Sequence, residues 1–413
     1  MSSDPTLQSV RDEVQITSQT FRYEKLRAIS SGIVESAAAT FLLFIAVTWY
    51  RAEPLAKSIL AAGTSSGLLL SPLAVYLTAR FQWPGALAGS RLLALSCLAM
   101  LGATVIPSQT AFVVGSTLAL LFSSSTVPLL TQIYQENYPT ATRGKLFSRT
   151  VMIRIASAAI TSGIGGWALK HRIENFHGLL GLFALALGFA SWCLKHCPST
   201  PLPYEAGSHP LSGLRHLKTD ALFRTALISW MLMGFANLMM LPLRIEYLAN
   251  PKYGMALDAA QVAMLTGVIP HAARFIMSPV WGWLFDRMNF FALRITLNLG
   301  FALGILGFFT TTSPTGLVLA AVIYGVSNAG GDVAWSLWVT RFAPPAQVAE
   351  YMSVHTFATG IRGVVAPAAA FYLINQYSTG ALALGCASLI LLASALLLPE
   401  IRSLRVAGRG RPR

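Results

Sequence analysis

Charge is what this chain has least of. Asp, Glu, Lys and Arg make up 11% of its 413 residues, against about 25% in soluble domains. The hydrophobic set reaches 54%, so a water-soluble globular protein is excluded. Acidic residues are the scarcer sign, leaving a net charge of +14. In a soluble chain that balance would point to nucleic acid, but no basic patch interleaved with stacking aromatics occurs on a soluble module, and nucleic acid is not an expected partner. Cysteine is limited to Cys97, Cys193, Cys197 and Cys386, all inside or at the ends of apolar runs. No disulfide framework follows. Cys193, His196 and Cys197 cluster, yet no fourth ligand lies nearby in sequence, so no metal site is expected. A G-x-x-x-x-G-K-[ST] loop is missing, which removes direct use of ATP. Gly63-Thr-Ser-Ser-Gly67 fits a nucleophile pattern but sits in an apolar run with no strand before it and no triad partner. The chain is therefore expected to be neither an enzyme nor a cofactor binder. A cleavable leader is not expected either: the first apolar run starts near Ala28, behind Arg22, Lys25 and Arg27, and is long enough to span a bilayer.

What the chain has in abundance is apolar runs of membrane-crossing length. A crossing helix needs about 20 such residues, and twelve stretches qualify: 28–50, 58–79, 86–106, 111–134, 150–169, 176–194, 222–247, 259–284, 291–311, 316–339, 354–376 and 379–398. They fall into an N-terminal tail 1–27, a six-helix bundle 28–197, a Pro/Ser/Gly-rich linker 198–221, a second six-helix bundle 222–399 and a basic tail 400–413. Lys and Arg crowd the segments on the N-terminal side, from Arg22 and Lys25 to Arg409 and Arg411. The opposite segments hold only Arg51, Lys57, Lys170, Arg172, Arg244 and Lys252. That asymmetry places both termini, the linker and both tails in the cytoplasm.

The chain also repeats itself. Ser278 to Arg294, SPVWGWLFDRMNFFALR, has a degenerate copy at Ser71 to Arg91, with Ser71, Pro72, Leu77 and Arg80 matching Ser278, Pro279, Leu284 and Arg287 at half the chain's length. Duplication of a six-span unit explains this. With twelve spans as six plus six, the central linker, and the loop motif Gly282, Asp286, Arg287 and Arg294, the chain resembles the major facilitator superfamily along nearly its full length. The resemblance implies an all-α membrane protein, two pseudo-symmetric bundles, and a central site reached alternately from each side. In the first-half copy, Val75 and Ala79 stand where Gly282 and Asp286 stand in the second. An inner gate built on the motif should therefore depend on the second half.

Charges inside spans cost about 2.5–3.5 kcal/mol each at a helix centre unless partnered or wet. Glu35, Arg154, Arg274, Asp332 and Arg362 are such charges. Each lies on a span that the resemblance places beside the central cavity. Polar neighbours recur at helical spacing: Arg154, Ser157 and Thr161; His271, Arg274 and Ser278; Asn328, Asp332 and Ser336 beside Trp335; His355, Thr359 and Arg362. Substrate contacts are accordingly expected from Arg274, His271, Asn328, Asp332, Trp335, Arg154, Arg362 and Asn237, and proton coupling from Glu35 or Asp332. A purely structural alternative pairs Asp332 with Arg362 on adjacent spans. A cytoplasmic gate is expected from Gly282, Asp286, Arg287, Arg294 and Glu350, and from Arg80, Arg91 and Glu136 in the first half.

Three arginines against two carboxylates leave one positive charge, which favours an anionic or zwitterionic organic solute. The expected function is secondary active transport by alternating access, proton-coupled, in a bacterial cytoplasmic membrane, by a monomer whose partners are a small molecule, protons and the bilayer. A proton-driven multidrug efflux antiporter is one alternative, suggested by Met231, Met233, Met239 and Met240. A non-transporting sensor or scaffold on the same fold is another.

Overall fold

Inside a bilayer the backbone has no partner but itself, so apolar runs of this length close their hydrogen bonds as helices. The computed structural model describes residues 5–139, 142–202, 212–341, 343 and 348–401; of these, 5–12, 212, 213, 286, 336, 337, 340, 341, 348–350 and 353 are described by backbone alone. Among the described residues, twelve long helices follow one another. Helix α1 runs from Pro5–Ser36 through a π-helical turn, Ala37–Phe41, into Leu42–Thr48. Then come α2 (Pro54–Arg80), α3 (Gly85–Val105), α4 (Gln109–Ser124 continued by Val127–Asn137), α5 (Arg143–His171) and α6 (Phe176–Lys195). The second half holds α7 (Ala221–Ala249) and α8, which runs from Ala259–Ala263 through the π-helical Met264–Val268 into Ile269–Arg287. It ends with α9 (Phe290–Thr310), α10 (Pro314–Leu337), α11 (Val348–Leu373) and α12 (Thr379–Ala395). Eleven of the twelve are long and apolar enough to cross a membrane by composition alone. The other, α8, is made more polar by Gln261, His271 and Arg274.

Packing follows the duplication. In the first half the main pairings are α1 with α5 and α6, α2 with α4, and α3 with α4 and α6. Adding six to each label gives the main pairings of the second: α7 with α11 and α12, α8 with α10, and α9 with α10 and α12. The halves meet mainly through α2 against α11 and α5 against α8, which the same operation exchanges, and α1 also touches α7 and α8. Helices α3, α6, α9 and α12 take no part in that seam and carry exposed apolar side chains such as Leu98, Leu185, Leu303 and Leu384, as an outer, lipid-facing layer should.

Two segments differ from the sequence expectation. The stretch before residue 28 is not a tail: α1 extends back to Pro5, and Glu24 in it is fully buried. Arg27 holds Glu24 with two hydrogen bonds, Nε to Oε1 at 2.7 Å and Nη2 to Oε2 at 2.8 Å, and Tyr134 of α4 donates to the same carboxylate at 2.5 Å. Neutralisation within the pair lets a polar sequence pack as helix. The linker is anchored at both ends. Pro198 and Leu202 accept from Asn137 and Gln82 of the first half, while Tyr351 of α11 donates to Asp220 at 3.0 Å.

The end opposite the chain termini is locked between halves. Lys57 of α2 donates to both oxygens of Glu246 on α7 at 2.8 Å, and both side chains are buried. Lys170 of α5 pairs with Asp258 ahead of α8 at 3.1 Å, but that pair is 53% and 37% exposed. Removing one partner of a buried pair strands a charge at a cost of about 3–5 kcal/mol, whereas exposed pairs are worth about 0–1 kcal/mol. Lys57→Met should therefore lower the melting temperature of the purified protein clearly, and Lys170→Met should leave it nearly unchanged. Equal shifts would mean that the buried pair does not hold this end together.

Candidate functional site

Two close helix crossings bring charge to the seam between the halves. At Gly32 a side chain would put its Cβ 2.3 Å from the carbonyl oxygen of Arg154, so only glycine lets α1 and α5 approach this closely. Ser157 ties the crossing by donating to the Ile29 carbonyl at 2.8 Å. One turn beyond Gly32, Glu35 then faces Arg154. Gly325 plays the same part between α10 and α8, where a Cβ would lie 2.4 Å from the Pro270 carbonyl oxygen. That approach sets Asp332 beside Arg274. Both π-helical turns lie close by, Ala37–Phe41 just after Glu35 and Met264–Val268 just before His271, and they touch each other through a Thr40–Thr266 hydroxyl contact of 3.0 Å. Such turns widen a helix locally and often accompany functional sites.

Arg274 is the centre of the result, at 4% exposure. Its Nη1 donates to Glu35 Oε1 across the seam, and its Nε donates to Asp332 Oδ2 within its own half. Arg154 Nε lies 3.1 Å from Glu35 Oε2, an ion pair without hydrogen-bond alignment. His271 places Nε2 3.5 Å from Glu35 Oε1, while its Nδ1 sits 2.7 Å from the Gly267 carbonyl oxygen, to which it donates in the matching tautomer. Glu35, Asp332 and Arg154 remain 25%, 35% and 36% exposed. Five expected residues from four helices thus meet at one place. Asn328, half-buried, lies one turn before Asp332 on α10.

Other expected residues are placed elsewhere. Arg362 does not pair with Asp332; its Nη1 donates to the Trp230 carbonyl inside the second half. Trp335 lies between the two groups, with its ring 5.7 Å from that of His355. Asn237 lines a separate cavity of about 10 Å³ with Arg244 and Tyr324, which is room for roughly one water and not for a solute. Arg244, counted from sequence with the segments opposite the N-terminal side, is buried in α7 with its guanidinium 4.0 Å over the Tyr324 ring. Met233, Met239 and Met240 are buried in the packing.

The gate residues divide in the same way. Arg294 is not at a surface mouth: it is 1% exposed, stacked 3.6 Å over the Trp230 ring, because α9 begins at Phe290 and carries it inward within a turn. Arg287 is exposed and lies 4.5 Å over Trp283. The side chains of Asp286 and Glu350 lie outside the described residues, and half-buried Gly282 has open space where a Cβ would be. In the first half Arg91 covers Trp83 at 4.1 Å, Arg80 reaches Tyr76 at 3.5 Å, and Glu136 accepts from Gln132 at 2.7 Å. This trio is not brought together. The Glu24–Arg27–Tyr134 cluster escapes a reading of the sequence because Arg27 looks like a basic flank; the i, i+3 spacing of Glu24 and Arg27 is the available signal.

Two parallel six-helix repeats with charged side chains meeting at their seam define a two-bundle class of membrane protein. The family model described as Major Facilitator Superfamily matches residues 28–289 and 252–413, and the chain belongs to that superfamily. The structure is similar to that of the nucleoside transporter NupG, with a TM-score of 0.70, 13% identity, and coverage of 93% of this chain and 98% of that one. A single-residue mutant of the same nucleoside transporter gives a TM-score of 0.71 at 15% identity, covering 92% and 99%. A D-xylose-proton symporter gives 0.62 at 16% identity, covering 94% and 96%. No curated protein matches the chain in sequence.

The contact between Arg274 and Asp332 is open to a double-mutant cycle. Groups in one ion-pair network couple by about 0.5–3 kcal/mol. Arg274→Met and Asp332→Asn should each lower thermal stability, and the double variant should lose clearly less than the sum. Strict additivity would show that the two side chains do not interact.

Proposed function

We propose that the chain is a secondary active transporter that moves a small polar organic solute, zwitterionic or anionic, by alternating access, with a proton carried through Glu35. The observation that supports this most is the Arg274 contact: a cation of the second half is held by a carboxylate of the first, near mid-span, where the two halves would move against each other. The similar structures are those of a nucleoside transporter and a D-xylose-proton symporter, which supports a small solute and a proton partner on this fold. At the seam the charges balance, Arg154 and Arg274 against Glu35 and Asp332. A zwitterion can match both signs.

Coupling follows from competition. A carboxylate on the solute offers Arg274 and Arg154 the same two oxygens that Glu35 offers now. When the solute takes those donors, Glu35 is left without its cations in a site where an unpaired charge is costly, and it takes up a proton. Solute and proton therefore load together, as symport requires. Asp332 keeps Arg274 oriented through Nε while the exchange occurs. Rocking of the halves alternately breaks the Lys57–Glu246 lock at one end and closes the other. The closing contacts are proposed at Gly282, Asp286, Arg287 and Glu350. The termini are proposed to be cytoplasmic, on the Lys and Arg asymmetry, in a bacterial inner membrane.

The test begins with a thermal-shift screen of amino acids, carboxylates, nucleosides and sugars, since a ligand that binds the folded form raises its melting temperature. Uptake of the best ligand into proteoliposomes should accelerate several-fold when the outside is made acidic. Glu35→Gln should abolish that acceleration while keeping ligand binding. Uptake indifferent to the gradient, or gradient-driven uptake in Glu35→Gln, would overturn the coupling.

A further inference from the structure

The buried charges of the second half do not all find partners. On α11, His355, Thr359 and Arg362 recur at helical spacing on one face, and all three lie against the interior of the bundle. His355 is fully buried, with neither Nδ1 nor Nε2 hydrogen-bonded. The Thr359 hydroxyl and Arg362 Nε are likewise buried without partners. From α9 comes Arg294, 1% exposed, with both Nη1 and Nη2 unsatisfied. Trp230 of α7 joins them: its ring carries the Arg294 guanidinium at 3.6 Å, its carbonyl accepts from Arg362, and its ring centroid is 5.4 Å from that of His355. Among the described residues neither arginine has a carboxylate partner. The neighbouring charge acting on Arg294 is the like charge of Arg362, and His355 feels both.

The location has been shaped to hold this charge. Gly234 lies one turn after Trp230 on α7, and a Cβ there would stand 1.9 Å from Arg362 Nη1. Glycine at that position is the space the guanidinium occupies. Two neighbouring permanent cations, Arg294 buried and Arg362 half-buried, with no counter-charge among the described residues, are a costly arrangement in a protein interior. The stacking on Trp230 offsets only part of that cost. What the cluster offers is almost entirely donors: guanidinium N–H groups from two arginines, an imidazole N–H and a hydroxyl. Its complement is a small, acceptor-rich anion.

We propose that Arg294, Arg362, His355 and Thr359 form a binding site for one small anion inside the second bundle, walled by Trp230 and distinct from the Arg274 network. The site goes beyond the transport reading and does not depend on it. It also lies close to the transport network, because α10 contributes Asp332 to one and Trp335, 5.7 Å from His355, to the other. The ligand class is a carboxylate or inorganic oxyanion of the size of acetate or phosphate, with a halide as the smaller case.

The experiment uses the full chain purified in detergent, with melting temperature followed while phosphate, acetate or chloride replaces gluconate at constant ionic strength. At least one of the three should raise the melting temperature by several degrees along a saturable curve. Arg294→Met and Arg362→Met should abolish the response. In gluconate alone these variants should melt no lower than wild type, because each removes an uncompensated charge. Gly234→Ala, which evicts the Arg362 guanidinium without removing it, should weaken the response at least tenfold in anion concentration. Lys218→Ala, an exposed cation outside the site, should respond like wild type. Where a variant does not fold, phosphate, acetate and chloride titrated into wild type by calorimetry decide the matter: saturable one-to-one heat for one of them supports the site. A linear salt response shared by wild type and all variants, or the absence of any saturable heat, overturns it.

Discussion

Arg274 is the point on which the structure turns. It is buried at mid-span and could not stay there alone, since a charge at the centre of a membrane helix is affordable only when paired or wet. It is paired twice, with Asp332 inside its own half and with Glu35 across the seam. Each of these demands shapes what surrounds it. The Asp332 contact requires α8 and α10 to approach within glycine distance, and Gly325 permits it. The Glu35 contact requires the two bundles to meet at this depth, with α5 and α8 packed along the seam. Arg154 and His271 complete the ring around Glu35. The same contact that neutralises the charge also joins the two halves.

The two halves share a packing plan but, apart from Arg274 with its partner Asp332, differ in how they hold buried charge. The first half pairs its cations, Arg27 with Glu24 and Arg154 with Glu35. The second half places Arg244, Arg294 and Arg362 against aromatic rings or backbone carbonyl groups instead. Duplication therefore set the helix contacts while the interiors diverged. The loop motif shows the same history: the strong copy follows α8, and in it Arg294 turns inward toward Trp230 and away from the surface. An arginine over an indole face gains about 2 kcal/mol or more when dry, but the ring brings no counter-charge. The second half thus retains an excess of positive charge in its interior.

Most of the architecture was readable in the residues. Twelve apolar runs, their six-plus-six division and the repeat at half the chain's length lead directly to two bundles, because length and apolarity alone decide what can cross a bilayer. Glu35, Arg154, His271, Arg274 and Asp332 were legible as a group for the same reason: each is costly where it sits. Their partners were not legible. Asp332 could be matched with Arg362 or with Arg274 on sequence grounds, and only the α8–α10 crossing selects Arg274. Asn237 looked like the others and lines a one-water cavity instead. Residues 5–27 looked like a tail because a buried salt bridge is indistinguishable, in composition, from two solvated charges.

By itself the sequence determined that this is a helical membrane protein, duplicated, with a handful of charges that need a reason to be buried. Those are properties of single segments, set by transfer free energies that act on each helix separately. The tertiary structure decided which charge meets which, that one end of the seam is locked by Lys57 and Glu246, and that Arg294 and Arg362 share an interior without an acid among the described residues. These depend on distances of a few ångströms between segments far apart in the chain. Helix crossings at small residues such as Gly32, Gly234 and Gly325 set those distances, and periodicity along one helix carries no information about the rotation of its neighbour.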